Sequence, residues 1–207
     1  MTSIPQGEAA DNLLEAITDF LNMIISGRLP EWMCPVFYGA RLIALTNTEG
    51  EGLRPIAIGL TLRRLAGKIV MNKLRPDCKQ LLSSQQLGVG VIRGAEIAVH
   101  ALRRYIDSND DMEKIVLKLD FRNAFNSIRR DKILDKVREH IPGLYPMIWQ
   151  SYAGSSNLYM GNGNIIESRE GVQQGDPIGP LLFFLGLTDL VAGSQSELSN
   201  WYQDDGT

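Results

Sequence analysis

The chain has 207 residues and is 44% hydrophobic, enough to bury a core as one large domain or two small ones, and its net charge of −3 argues weakly against a general polyanion-binding surface. No stretch approaches ~18 uninterrupted apolar residues, which excludes a membrane-spanning helix, and residues 1–10 lack the basic and apolar regions of a secretory signal. Cys34, Cys78, His100 and His140 stand apart without metal-ligand spacing and read as structural or incidental in an intracellular chain, with nucleus or cytoplasm left open.

The total charge hides a division. Residues 36–105 carry 11 Lys and Arg against 4 Asp and Glu, whereas the rest carries 10 against 20. A positive half attracts a phosphate backbone or a triphosphate and an acidic half suits a divalent cation, unless both are only solvated helix faces.

Taken in order, Leu13, Leu14, Ile17, Phe20, Leu21, Ile24 and Ile25 mark an amphipathic helix over residues 10–26, which Gly27 ends and Pro30 cannot extend. Residues 41–45 and 54–58 read as a hairpin with a polar loop between them. Arg41 and Arg54 flank it, each able to fork onto a phosphate or to lie along the sheet. Thr61 is expected to cap a helix whose Leu62, Leu65, Ala66, Ile69, Val70 and Leu74 are buried, with Arg63, Arg64, Lys68 and Lys73 outward or on its flanks. The glycines of residues 85–94 lack the sequel of a phosphate loop or dinucleotide fingerprint, so a loop before a helix at 95–106 is expected.

Residues 114–119 form an apolar run that predicts a buried strand ending at Asp120, a carboxylate aimed at a cleft unless it or Asn123 caps the next helix. A helix over 130–140, a short one over 143–153 and a hairpin at 157–160 and 165–169 follow. Gly175-Asp176-Pro177 predicts a helix start, which either offers N–H groups to an anion or is ordinarily capped. The chain closes on Trp201-Tyr202-Gln203-Asp204-Asp205-Gly206-Thr207, strand residues and then two adjacent carboxylates at an Asp-Gly turn. Such a pair is either a solvated turn or a cation site. Asp120 and Asp204 would converge if their strands lie side by side in one antiparallel sheet, giving an α+β fold with helices on one face, close to the split βαβ pattern.

These residues resemble a known family. Leu119-Asp120-Phe121-Arg122-Asn123-Ala124-Phe125-Asn126, the run from Gly171 to Leu181 and Tyr202-Gln203-Asp204-Asp205 resemble, in order, three catalytic motifs of reverse transcriptases of the non-LTR (LINE-type) retrotransposon group. Arg54-Pro55-Ile56 resembles the fingers motif before them. The resemblance implies right-hand polymerase fingers and palm, the palm a ferredoxin-like antiparallel sheet. Residues 1–35 would be a helical extension, 36–113 fingers and 114–207 palm, with fingers elements interleaved near 130–155.

It also implies RNA-directed DNA synthesis with an RNA template, a DNA primer or RNA–DNA hybrid and dNTPs. Asp120, Asp204 and Asp205, with the Phe121 carbonyl, would hold two Mg²⁺ ions, or Mn²⁺, flanking an in-line displacement. Arg54 and Arg41 would neutralise the triphosphate, Phe125 would exclude a ribose 2′-hydroxyl, and Gln174 and Gly175 would line the nucleotide and template side. Because the chain stops two residues after Asp205, the returning strand and the thumb are expected to be missing and the fragment alone weakly active or inactive. The rivals are a decayed relic that only binds RNA and an RNA-dependent RNA polymerase.

Overall fold

The computed structural model describes residues 7–46, 53–78, 86–108, 113–121, 123–193, 196–202 and 205–206. Helix α1 (Glu8–Ile25) buries Leu21 and Ile24, but Leu13 and Leu14 of the expected stripe face solvent. Its docking explains why only the second half packs. Gly27 follows with φ +62° against the Pro146 carbonyl, where a Cβ would collide, and Gln150 then exchanges hydrogen bonds with Leu29 N (3.1 Å) and O (2.7 Å). Among the described residues no helix is long and apolar enough to cross a membrane.

The expected hairpin forms as β1 (Ala40–Thr46) and β2 (Leu53–Gly59), in register from Ala40 opposite Gly59 to Thr46 opposite Leu53, and its loop lies outside the described residues. The free edge of β1 pairs in parallel with β4 (Ser156–Tyr159), which turns back into β5 (Ile165–Ser168), giving the order β2-β1-β4-β5. The two hairpins thus share one sheet, separate from the ladder at Asp120. β1 is a long strand with an open edge, and Ser156 at the head of β4 is buried and accepts a hydrogen bond from Gln173 Nε2 at 3.2 Å. An interior anchor therefore decides which sheet the hairpin enters.

A second sheet has the order β3-β7-β6, from β3 (Leu119–Asp120), β7 (Asp205–Gly206) and β6 (Trp201–Tyr202). The apolar run before Asp120 is not a buried strand: Ile115 is 91% exposed and Leu117 65%. Among the described residues 113–118 join no β-ladder, so no sheet holds this run extended and covered.

The core centres on α8 (Gly179–Ala192), apolar on every face and buried through Leu181, Leu182, Phe183, Phe184 and Leu185, as such a helix must be. α6 (Arg130–His140) packs on it through Ile133, Leu134 and Val137, and α7 (Tyr145–Tyr152) closes the far side of α6. α8 begins at Gly179 rather than Gly175. Asp176 Oδ1 accepts the Ile178 N–H (3.1 Å) and its backbone bridges Gln173 O and Gly179 N (each 3.0 Å), so of the two readings of this segment the chain's own turn, rather than an anion, takes these N–H groups.

Helix α3 (Thr61–Leu74) departs most from its expected orientation. It has no side-chain cap, and its buried face is Arg63, Ala66, Gly67 and Val70, while Leu62, Leu65 and Ile69 are 36–43% exposed. These four positions have the i, i+3, i+4, i+7 spacing of one helical face. At Gly67 this face packs against Pro177 and Ile178, close enough that a Cβ there would make ordinary van der Waals contact with both, at 3.5 and 3.4 Å. Arg63 is tolerated inside because a carboxylate meets it.

Candidate active site

β7 runs antiparallel between β3 and β6, with Asp120 directly opposite Asp205 and Leu119 opposite Gly206, while Asp205 also faces Tyr202. Residues 85 and 87 positions apart in sequence are thus neighbours on one ladder, where directly opposite Cα atoms lie about 4.5–5.5 Å apart. Asp205-Gly206 belong to the returning strand rather than to a turn, which corrects the expectation that this strand would be missing. Asp204 lies outside the described residues, as do the side chains of Asp205 and Arg54.

The end of β3 is fixed by rings. Phe121 stacks on buried Trp201 with centroids 6.0 Å apart, and the Trp201 carbonyl accepts the Leu87 N–H at 2.7 Å, tying β6 to the glycine-rich segment. Asp120 itself is exposed at the strand end. Asn123 then adopts φ +54°, a region asparagine tolerates, and opens α5 (Ala124–Ser127) without a side-chain cap. The bend presents Phe125, half-buried and stacked on Phe183 at 4.5 Å and 20°.

The loop over residues 171–178 faces this bend. Its Gly171 and Val172 N–H groups donate to Ile128 O (3.0 Å) and Phe125 O (2.7 Å), and Gly171, at φ +66°, leaves no room for a Cβ against the Asn126 backbone. Its other end rests on β2: Ala57 N–H donates to Gln174 O at 3.1 Å, and a Cβ on Gly175, at φ +113°, would sit 3.0 Å from Ala57 O. Gln174 Oε1 is buried with no hydrogen-bond partner among the described residues. A buried acceptor of this kind is costly unless a donor arrives.

Arg41 is exposed on β1 opposite Ile58, next to the Leu42–Ala57 pair where the loop touches the hairpin. Arg54 pairs with Leu45, four positions further along the ladder and so about 13 Å away. The two arginines therefore stand toward opposite ends of the hairpin, with the loop contact between them.

Sequence reasoning missed the interior of this loop. Arg63 Nη1 donates to Tyr38 O (2.5 Å) and Gln173 Oε1 (2.6 Å), and Nη2 meets Asp176 Oδ2 at 2.6 Å, with the Tyr152 hydroxyl donating to the same oxygen at 2.8 Å. Burial works against the Arg63 charge, but the Asp176 carboxylate and its hydrogen bond hold the guanidinium above its ordinary pKa. Burial also pushes the Tyr38 phenol up to about 12, and raises that of Tyr152 as well. Arg130, which donates through Nε, Nη1 and Nη2 to the carbonyls of Gly171, Ser168 and Glu170 at 2.9–3.0 Å, grips the stem of the loop and lies 5.2 Å from the Tyr152 ring. The available signal was a lone arginine in register with Ala66, Gly67 and Val70.

Among the described residues no three His, Cys, Asp or Glu side chains form a metal cluster. The donor set at the sheet end is nonetheless all oxygen, with Asp120 facing position 205 and position 204 adjoining it in the chain, which suits a hard divalent cation.

Residues 47–207 match the family described as Reverse transcriptase (RNA-dependent DNA polymerase). The chain is 26% identical over 170 residues to the "Probable RNA-directed DNA polymerase from transposon BS" of Drosophila melanogaster, covering 75% of this chain and 19% of that protein. It is 30% identical over 151 residues to the "Retrovirus-related Pol polyprotein from type-1 retrotransposable element R2" of Popillia japonica, covering 69% and 21%. It therefore spans about a fifth of the length of these relatives. In fold it is similar to the telomerase of Candida tropicalis, at a TM-score of 0.54 and 11% identity over 82% of this chain and 35% of that one, a likeness that carries a right-hand polymerase architecture. Resemblance, ladder register and family match agree: the chain belongs to the reverse transcriptase family, on the side of the non-LTR retrotransposon enzymes.

Proposed function

We propose that this chain supplies the carboxylate sheet and nucleotide pocket of an RNA-directed DNA polymerase, adding dNTPs to a primer 3′-hydroxyl on an RNA template. The observation that carries the reading is the register of Asp120 against Asp205, flanked by the Phe125 bend and the loop at 171–178. Asp120, Asp204 and Asp205, with the Phe121 carbonyl, would hold Mg²⁺, or Mn²⁺ in its place. When bound, such ions lower the cost of charge on the attacking and leaving oxygens.

The chain's own residues do the rest. Phe125, backed by Phe183, offers a flat wall to the sugar and selects against a 2′-hydroxyl by bulk. Gln174 Oε1 offers an acceptor already stripped of water, so a donor on the nucleotide or template is bound with no further desolvation of the acceptor. Arg41 and Arg54, at the two ends of the hairpin, meet the triphosphate, whose charge also suits the basic half of the chain.

Two measurements test this. Mn²⁺ binding followed by electron paramagnetic resonance should be lost on Asp120→Asn, and extension of a primer on an RNA template should need Asp204 and prefer dNTPs over ribonucleotides. Unchanged Mn²⁺ binding in the variant, or equal use of ribonucleotides, would overturn the reading.

A further inference from the structure

We propose that Arg63 and Asp176 are positioning residues that set the affinity of the pocket for the incoming nucleotide, acting through Gln174; the proposal rests on the polymerase reading above. Both charges are buried, with side chains 4% and 8% exposed, and neither reaches the outer surface of the loop. Their contacts define what they hold. Arg63 sits on the helix that directly follows β2, and Asp176 sits two residues beyond Gln174, whose carbonyl is hydrogen-bonded to β2 at Ala57.

The pair thus closes a short ring: strand, helix, ion pair, loop and back to the strand. Within that ring the Gln174 backbone has no freedom to slide along β2. Its side-chain oxygen stays at one depth, buried and without a partner among the described residues. The guanidinium suits the task because its planar fork serves Tyr38 O, Gln173 Oε1 and Asp176 Oδ2 at once, which the point charge of a lysine cannot do.

A tie that only held the fold together would lower stability and the active fraction. One that positions Gln174 weakens nucleotide binding while leaving chemistry in the bound complex alone, because among the described residues the sheet of Asp120 shares no hydrogen bond with the ring. Arg63→Lys and Asp176→Asn should therefore raise KM for dNTPs about tenfold while kcat stays within about twofold. Gln174→Ala, which leaves the buried pair intact, should raise KM by the same factor.

The experiment is steady-state primer extension over a range of dNTP concentrations, with thermal melts of each protein and equilibrium binding of a fluorescent dNTP. Variants that melt earlier at an unchanged KM overturn the positioning role alone. Should both pair variants fail to fold, an unchanged KM in Gln174→Ala overturns it equally. A wild-type chain that binds neither Mn²⁺ nor the fluorescent dNTP overturns the polymerase reading, and this proposal with it.

Discussion

The loop at 171–178 and the strand end at Asp120 face each other across the candidate site but are held in opposite ways. The loop is gripped by side chains: Arg63 and Tyr152 on Asp176, Arg130 on its stem, and two glycines pressed against neighbouring backbone. The strand end is carried by a ladder of two-residue strands and one ring stack, and the apolar run leading to it lies in solvent. Substitutions on the loop side should thus appear as lost stability or weaker nucleotide binding. Those on the strand side should appear as lost rate in a protein that still folds.

The largest expected effect lies on the strand side. Asp120 is exposed and buries nothing, so Asp120→Asn should leave the melting temperature unchanged while primer extension falls about a thousandfold, the rate equivalent of several kcal/mol of transition-state stabilisation. A variant that unfolds, or that keeps its rate, would erase the contrast between the two sides.

Next comes the loop side. Arg63→Met leaves Asp176 buried beside Tyr152 without its cation and should cost about 3–5 kcal/mol by chemical denaturation, whereas Arg63→Met with Asp176→Leu should recover most of that loss. If the double variant is as unstable as the single one, packing around Gly67 rather than charge sets the cost.

A smaller effect is alkaline. The folded chain holds the Tyr38 proton to about pH 12 because of burial, against an ordinary phenol value of 10.0. Stability from this group is complete below pH 10 and falls as pH rises from 10 toward 12, because the unfolded chain releases the proton first. The loss is about 2–3 kcal/mol at the upper end. Tyr38→Phe should flatten the slope and Tyr152 should keep part of it, which pH-dependent melts would resolve.

What could be read from the residues alone follows the same division. The pairing of the Asp120 strand with the strand of Asp205 was legible, because apolar or aromatic strand residues lead to a carboxylate at both places. The first hairpin, α6 and the second hairpin were legible from alternation and turn residues. Arg63 was not, because Leu62, Leu65 and Ile69 form an equally regular stripe one position away, and only the approach of Pro177 and Ile178 to Gly67 decides between them. The sheet that β4 enters was hidden for a similar reason, since Ser156 and Gln173 become partners only in three dimensions.

The smallest effect gives the sharpest check on the strand side. Ile115 and Leu117 read as core residues by composition, yet they are 91% and 65% exposed on the wall of an apolar hollow that Leu102, Tyr105 and Trp201 also line. If the exposed arrangement is the working one, Ile115→Lys should change stability by no more than about 0.5 kcal/mol, as surface substitutions do. If the run is instead covered in solution, the same change would bury a lysine and cost several times as much. Denaturant melts of the single variant separate the two, and a large cost would mean that the ladder at Asp120 extends further back than Leu119 and that the strand side is as firmly built as the loop it faces.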